Sequence, residues 1–432
     1  MSARPKTLLH SGQTNGRRSV LQKAGLWNTC RWAGGLALVL FIPVHDVCAQ
    51  GRHVLYQFCR STGCADGSEP VATLIPGPGR TFYGTTAAGG ANNQGTVFKL
   101  SLRSTETVLY SFQGGSDGAE PEAALVADKG GNLYGTTAYG GNEGCSNGCG
   151  TVFKIAPDGS ETVLHAFDGS DGEYPQAGLI ADKKGNLYGT TYLGGITSYC
   201  FNLGCGTIFK VSYDGTETVL YAFKGDPYSD GYFPSAGLVA DENGNFYGTT
   251  TRGGGNGDAC DGYGCGTVFT LAPDGTETIL FAFSGGEDGD GPQGTLVRDA
   301  GGNLYGTTET NDGGDGYGTV FKIDPNGRET VLHGFSGHED GRYPLAGLIA
   351  DAQGDLYGTT IEGGGAGCSG TGCGTVFKLG PDGTQKLLWR FGSGKRGFQP
   401  WGGLWENQTG ELFGTTIAVD DSDSGTIFKL TQ

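Results

Sequence analysis

Residues 179–195 read LIADKKGNLYGTTYLGG, and after a cysteine-bearing loop residues 205–223 read CGTIFKVSYDGTETVLYAF. Most of the chain rewrites this stretch, Leu179–Phe223. The glycine of its Tyr-Gly-Thr-Thr word, once Phe-Gly-Thr-Thr, recurs at Gly84, Gly135, Gly189, Gly248, Gly306, Gly358 and Gly414, at intervals of 51, 54, 59, 58, 52 and 56 residues. Seven copies at that period mark a repeat architecture. Within one copy, four segments have strand composition: Leu179–Ala181, Asn186–Thr191, Thr207–Val211 and Thr218–Phe223. Each is rich in Val, Ile, Thr, Tyr or Phe and is bounded by Gly, Asp, Asn or Pro. No window carries the apolar spacing of an amphipathic helix over three turns. The first and second strands are joined through Asp182 to Asn186, the third and fourth through Ser212 to Gly215. Asp and Asn bond their own backbone and Gly supplies positive φ, so both connections read as tight hairpin turns.

One four-stranded antiparallel sheet cannot bury both faces, whereas seven packed radially can. The expected fold is all-β, a seven-bladed β-propeller spanning residues 50–432. His53–Phe58, HVLYQF, matches the fourth strand of the repeat, and Gly425–Leu430, GTIFKL, matches the third. The ring is therefore expected to close by Val54–Phe58 pairing with Thr426–Leu430, which removes the open sheet edges.

Residues 1–49 lie outside the repeats and read as a signal peptide. Six of the 28 basic residues fall there, followed by the short apolar run Ala33–Val44 and by Val47-Cys48-Ala49, with cleavage expected after Ala49. Arg17 and Arg18 also fit a twin-arginine export motif, so general secretion and twin-arginine export both stand. Only one of the 45 acidic residues lies in this leader, leaving 22 basic and 44 acidic groups and a net charge near −22 on the remainder. Such a surface repels nucleic acid and anionic membranes. No later apolar run reaches membrane length, and a secreted or periplasmic monomer is expected. Glycine, at 85 of 432 residues, is about three times its usual share, but the 11% aromatic content and the strict period argue for a packed core.

Ten cysteines beyond the leader form five close pairs: Cys59 with Cys64, Cys145 with Cys149, Cys200 with Cys205, Cys260 with Cys265 and Cys368 with Cys373. In an exported chain these read as local disulfides. Zinc is the competing reading, but no His lies near the pairs in sequence.

The recurring words Asp-x-x-Gly-Asn-Leu-Tyr-Gly-Thr-Thr, Gly-Thr-Val-Phe-Lys-Leu and Pro-Asp-Gly-Thr-Glu-Thr-Val-Leu resemble the GloVer tandem repeat of exported bacterial choice-of-anchor proteins, over roughly residues 53–430. The first word is also similar, more weakly, to repeats of NHL-type and sensor-kinase periplasmic propellers. The GloVer resemblance implies export and tandem repetition, and no activity. Such proteins often end in a sorting or anchoring segment where this chain has Lys429-Leu-Thr-Gln432, so anchoring is left open.

Candidate sites follow from departures from the repeat. An Asp-Gly-x-x-Pro word begins at Asp66, Asp117, Asp171, Asp230, Asp288 and Asp340. It reads either as a ring of carboxylates able to hold Ca²⁺ or, more plainly, as a repeated Asx turn. The nearest approaches to a calcium loop are Asp288 with Asp290 and Asp421 with Asp423; otherwise no cofactor is expected. In the seventh copy Arg396 replaces the Asp, with Phe398 and Trp401 beside it. Rings stack on sugars and guanidinium forks bind carboxylates, so these three are the candidate ligand residues; the alternative is that they pack an atypical closing blade. His53, His165 and His333 fall on separate fourth strands and do not converge on one centre. The long second-to-third loops and the Asp-Gly-x-x-Pro loops share one face, where binding is expected. Two functions remain. One is a non-catalytic exported binding protein for a glycan, another extracellular polymer or a protein. The other is a secreted carbohydrate hydrolase or lyase with a carboxylate-based site on that face.

Overall fold

The computed structural model describes residues 51–196, 200–225, 230–255, 260–311, 316–393, 397–419 and 424–432. The leader and the region around Arg396 lie outside them. The described chain is a ring of seven four-stranded antiparallel blades, a β-propeller, numbered I (75–111), II (126–166), III (180–222), IV (239–282), V (297–334), VI (349–390) and VII (405–431 with 51–57). Blade III shows the plan: Ile180–Ala181, Leu187–Thr191, Thr207–Val211 and Glu217–Ala222, paired in that order. The observed strands lie within a residue or so of those expected. Blade VII is built from both ends of the described chain, where Gly51–Gln57 pairs with Thr426–Thr431 in the register Val54↔Phe428 and Gln57↔Thr426. Two features were not foreseen. Gly231–Tyr232 pairs with Arg252–Gly253 above blade IV, and Asp290–Pro292 pairs with the extended second strand of blade V, Leu304–Thr310.

The repeated words now have physical reasons. Gly189 pairs with Phe209 on the next strand, and the Phe209 ring lies across it; a Cβ there would sit 2.7 Å from the ring. Only glycine permits this approach. The same pairing recurs in every blade, from Gly84 with Phe98 to Gly414 with Phe428. Each of these third-strand phenylalanines then meets, edge to face, the phenylalanine that ends the fourth strand of the preceding blade. Phe167–Phe209 is at 5.0 Å, and the ring closes through Phe58–Phe98 at 5.0 Å and Phe391–Phe428 at 5.3 Å. Such a pair contributes about 0.5–1.5 kcal/mol beyond its burial.

The two threonines divide their work. The second of each pair shares a buried hydrogen bond with the first residue of the third strand, as in Thr191 with Thr207 at 2.8 Å. The first reaches the neighbouring blade: Thr190 donates to the Ala236 carbonyl at 2.9 Å, and Thr415 to that of Ala72 at 3.2 Å. Between blades IV and V this bond is missing, and the buried Thr249 hydroxyl finds no partner. In the hairpin turn, Asp182 accepts from the Lys184 and Asn186 backbone, the Asn186 amide and the Tyr188 hydroxyl, which accounts for the Asp-x-x-x-Asn-x-Tyr spacing.

All five expected disulfides are present. Cys59 is bonded to Cys64, Cys145 to Cys149, Cys200 to Cys205, Cys260 to Cys265 and Cys368 to Cys373. The partners are four or five residues apart, so each bridge closes a loop within one blade and none links two blades. Cys149, Cys205, Cys265 and Cys373 are fully buried just before their third strands, whereas Cys64 keeps part of its surface exposed before the first loop of the face. With every sulfur of the five pairs bonded to another, the zinc reading of these cysteines falls away. No helix among the described residues is long and apolar enough to cross a membrane.

The blade interfaces also carry charge. Glu106, Glu161, Glu217, Glu277 and Glu329 open the fourth strands of blades I to V, each with a buried, unpartnered Oε1. Burial, then the neighbouring Asp117 carboxylate, pushes the Glu161 carboxyl up from 4.5 to about 7. At the equivalent place in blade VI, Gln385 donates its amide to the Asp340 carbonyl at 3.2 Å, a bond that a protonated glutamate could also make.

Two outcomes are expected. Gly189→Ala should destabilise by about 1–3 kcal/mol through overpacking. Gly334→Ala should be near neutral, because a Cβ there meets nothing within 4 Å; urea unfolding of both variants is the check. The second outcome concerns Glu161. Between pH 4.5 and 7 its folded carboxyl keeps a proton that the unfolded chain has lost. Its contribution is therefore complete below about 4.5 and is lost as pH rises through 7. Glu161→Gln should raise stability at pH 8 by roughly 1 kcal/mol, discounted for solvent screening, and leave it unchanged at pH 4.

Candidate functional site

The Asp-Gly-x-x-Pro loops build the face. Their aspartates turn inward to cap the loop. Asp66 accepts the Tyr56 hydroxyl at 2.9 Å and the Arg60 backbone at 3.1 Å, and Asp230 accepts the Tyr221 hydroxyl and the Lys224 backbone, both at 3.0 Å. The following glycine lies against the buried threonine pair; a Cβ on Gly231 would stand 2.1 Å from Thr250 Oγ1. The next residue pairs with the start of the second-to-third loop, as in Ser68↔Ala88, Glu173↔Leu193 and Tyr232↔Arg252. The residue before the proline adopts positive φ in every copy, between 56° and 66°, and is non-glycine in six: Glu69, Glu120, Tyr174, Phe233, Tyr343 and Gln399. Repeated left-handed backbone at bulky residues is costly, and Glu69, Tyr174 and Phe233 among them line cavities of the loop face.

The residue after each proline lines the mouth of the central channel: Val71, Glu122, Gln176, Ser235, Gln293, Leu345 and Trp401. Seven equivalent positions thus carry six different side chains. The mouth holds a cavity of about 480 Å³. A second, of about 590 Å³, adjoins it over blades III to V and shares Tyr174, Gln176, Ser235 and Gln293 with it.

The second cavity is aromatic. Tyr192 stacks on Phe233 at 4.8 Å with 24° between the rings, and Tyr174 meets Tyr192 edge-on at 6.1 Å. Phe201 and Tyr263, 64% and 46% exposed, meet edge-on at 5.7 Å. They project from the loops closed by Cys200–Cys205 and Cys260–Cys265. Polar groups sit among the rings. Arg252 pairs with Asp290 at 2.8 Å, and the Gln293 amide donates to Glu309 at 2.5 Å. At the channel, burial pushes the Glu122 carboxyl up to about 7, reinforced by the Glu120 charge and eased by the Tyr174 hydroxyl donated at 3.3 Å. Burial likewise raises the Glu309 carboxyl, opposed by Gln293 and Arg252.

The residues expected from sequence are dispersed. Trp401 is 42% exposed at the channel mouth. Phe398 packs instead against the core between blades VI and VII, bridged to Ala418. Arg396 lies outside the described residues, as do Asp421 and Asp423. Asp288 is taken up by the Ser284 hydroxyl and backbone and by the Gly286 backbone, while Asp290 faces Arg252. Sequence reasoning missed Glu122, Tyr174, Tyr192, Phe201, Phe233 and Tyr263. The available signal was the composition of each loop compared copy by copy around its invariant Gly and Pro, not in the seventh copy alone.

Comparison with known proteins adds the family. A gluconolactonase from Xanthomonas campestris is 16% identical, with 78% of this chain and 89% of that one covered and a TM-score of 0.42. A protein from Bacteroides uniformis assigned as a 6-phosphogluconolactonase is 17% identical, with 78% and 88% covered and a TM-score of 0.49. The tricorn protease is 12% identical, with 74% and 26% covered and a TM-score of 0.41. None of these distant likenesses bears on activity. No curated protein matches the chain. The Gloeobacter/Verrucomicrobia repeat matches residues 46–261 and 258–432, and the chain belongs to that repeat family.

Proposed function

We propose that the protein is an exported, monomeric binding protein that holds a carbohydrate or similar hydroxyl-rich polymer on the loop face. The ligand would lie in the groove running from the aromatic cavity of blades III to V into the channel mouth. The observation that carries this reading is the break in symmetry: a seven-fold scaffold presents one cluster of rings, interleaved with amide, carboxyl and guanidinium groups. Aromatic faces stack on the apolar faces of sugar rings, while the polar groups meet hydroxyls. The disulfide-closed loops hold Phe201 and Tyr263 in place before binding, which lowers the ordering cost. Trp401 extends the platform across the mouth. The leader at residues 1–49 and the five disulfides support secretion or a periplasmic location.

A second reading rests on Glu122. A carboxyl titrating near 7 is protonated often enough at neutral pH to act as a general acid toward a glycosidic oxygen, which is the hydrolase or lyase alternative.

A glycan array should identify the ligand. Tyr192→Ala and Phe233→Ala should each then weaken binding by about 2- to 10-fold in calorimetry, the equivalent of 0.5–1.5 kcal/mol per stacking contact. A double variant that folds and binds every detected glycan as the parent does would refute the assignment. For the second reading, turnover of the bound glycan that disappears in Glu122→Gln identifies an enzyme; binding without turnover favours the first reading.

A further inference from the structure

One blade interface differs from the others in its chemistry. At the boundary between blades II and III, His165, Asp171 and Glu217 bring a ring nitrogen and two carboxylate oxygens within 4.8 Å of one another. His165 Nε2 is hydrogen-bonded to Asp171 Oδ2 at 2.8 Å, a contact that an ion would replace; tetrahedral ligands at about 2.0–2.2 Å from the ion stand about 3.3–3.6 Å apart, so the pair would open by roughly half an ångström. The other Asp171 oxygen accepts the Asp168 backbone N–H at 2.8 Å, which fixes the carboxylate plane. Phe167 meets the imidazole edge-on at 4.8 Å and fixes the ring. Glu217 adds a buried Oε1 without a hydrogen-bond partner. Such outer contacts orient ligands at metal centres.

The repeat supplies its own comparison. The carboxylate pair recurs at four other interfaces, but Tyr56, Tyr110, Tyr221 or Phe281 stands there in place of the imidazole. At the next histidine, His333 faces Asp340 at 3.5 Å, but Gln385 replaces the glutamate. Among the described residues, imidazole and both carboxylates therefore meet at one place. The group formed by Cys260, Cys265 and Asp290 is closed to metal, because its two sulfurs are bonded to each other.

We propose that His165, Asp171 and Glu217 form a binding site for a borderline divalent transition metal, of which zinc is the type. The imidazole nitrogen selects against calcium and magnesium, which take oxygen ligands. His165 and Asp171 keep about a fifth of their side-chain surface exposed, which leaves an entry path and room for water to complete the coordination.

The probe is zinc chloride titrated into the purified, EDTA-stripped protein at 150 mM NaCl with excess MgCl₂, read by calorimetry and by the shift in melting temperature. One saturable zinc per chain is expected. His165→Tyr imitates the neighbouring blade, where Tyr110 donates to Asp117 at 2.6 Å, so it should fold and bind zinc at least tenfold more weakly. Glu217→Gln imitates Gln385 and should do the same. Gln385→Glu should add a second, weaker equivalent, and its failure to do so would count against the sufficiency of this ligand set. No saturable zinc on the parent, or unchanged affinity in both His165→Tyr and Glu217→Gln, overturns the proposal.

Discussion

The contact on which the architecture depends is that of the far edge of a phenylalanine ring against a glycine. In each blade the third-strand ring fills the space where a Cβ would stand on the second strand. The same ring is the landing point for the fourth-strand phenylalanine of the blade before. One side chain thus sets both the closeness of strands within a blade and the spacing between blades. Because the contact is repeated seven times and fully buried, small errors in blade angle cannot be absorbed locally. The threonine bonds to the next blade's carbonyls, made at every interface but that between blades IV and V, then fix the height of neighbouring blades in the ring. The glutamates work against this order. They place near-neutral carboxyls beside aspartates at five interfaces, so the ring is most cohesive when those carboxyls hold their protons.

The loop face obeys a different constraint. The Asp, Gly and Pro of its word are all occupied by the scaffold, as cap, as close-approach point and as packing against the glycine that precedes the third strand. The positions between and after them contribute little to that frame and are the ones that vary. An invariant frame thereby presents a set of freely chosen side chains around one axis. The concentration of rings over blades III to V, rather than an even spread, gives the face a direction.

The sequence was legible wherever a residue's role repeats. Seven copies of one glycine established the blade count, and the matching of His53–Phe58 to fourth strands located the closure. Cysteine spacing established the disulfides, because partners as close as Cys145 and Cys149, or Cys368 and Cys373, leave few alternatives. The site was much less legible. Its residues come from several blades and meet only around the axis, as Glu122 meets Tyr174 from 52 positions away. Arg396, Phe398 and Trp401 drew attention as a local departure from the repeat, yet the left-handed Gln399 and Pro400 turn the chain between the last two. Phe398 enters the core and Trp401 faces the channel. The imidazole at position 165 looked isolated for the same reason, since Glu217, the second carboxylate beside it, belongs to the next blade.

The seam in blade VII has a temporal side. Gly51 and Thr431 are hydrogen-bonded neighbours 380 residues apart, so the first strand made is held by the last. Until Thr426–Thr431 emerges, each completed blade can settle on the one before it, but the circle stays open and its first strand waits without a partner. Loop closure over that distance carries only a logarithmic entropic penalty, yet it must follow synthesis of all the intervening blades. Cooperative locking of the ring is thereby tied to the arrival of residues 426–431, and a chain lacking that strand would retain most of its blades but not the clasp.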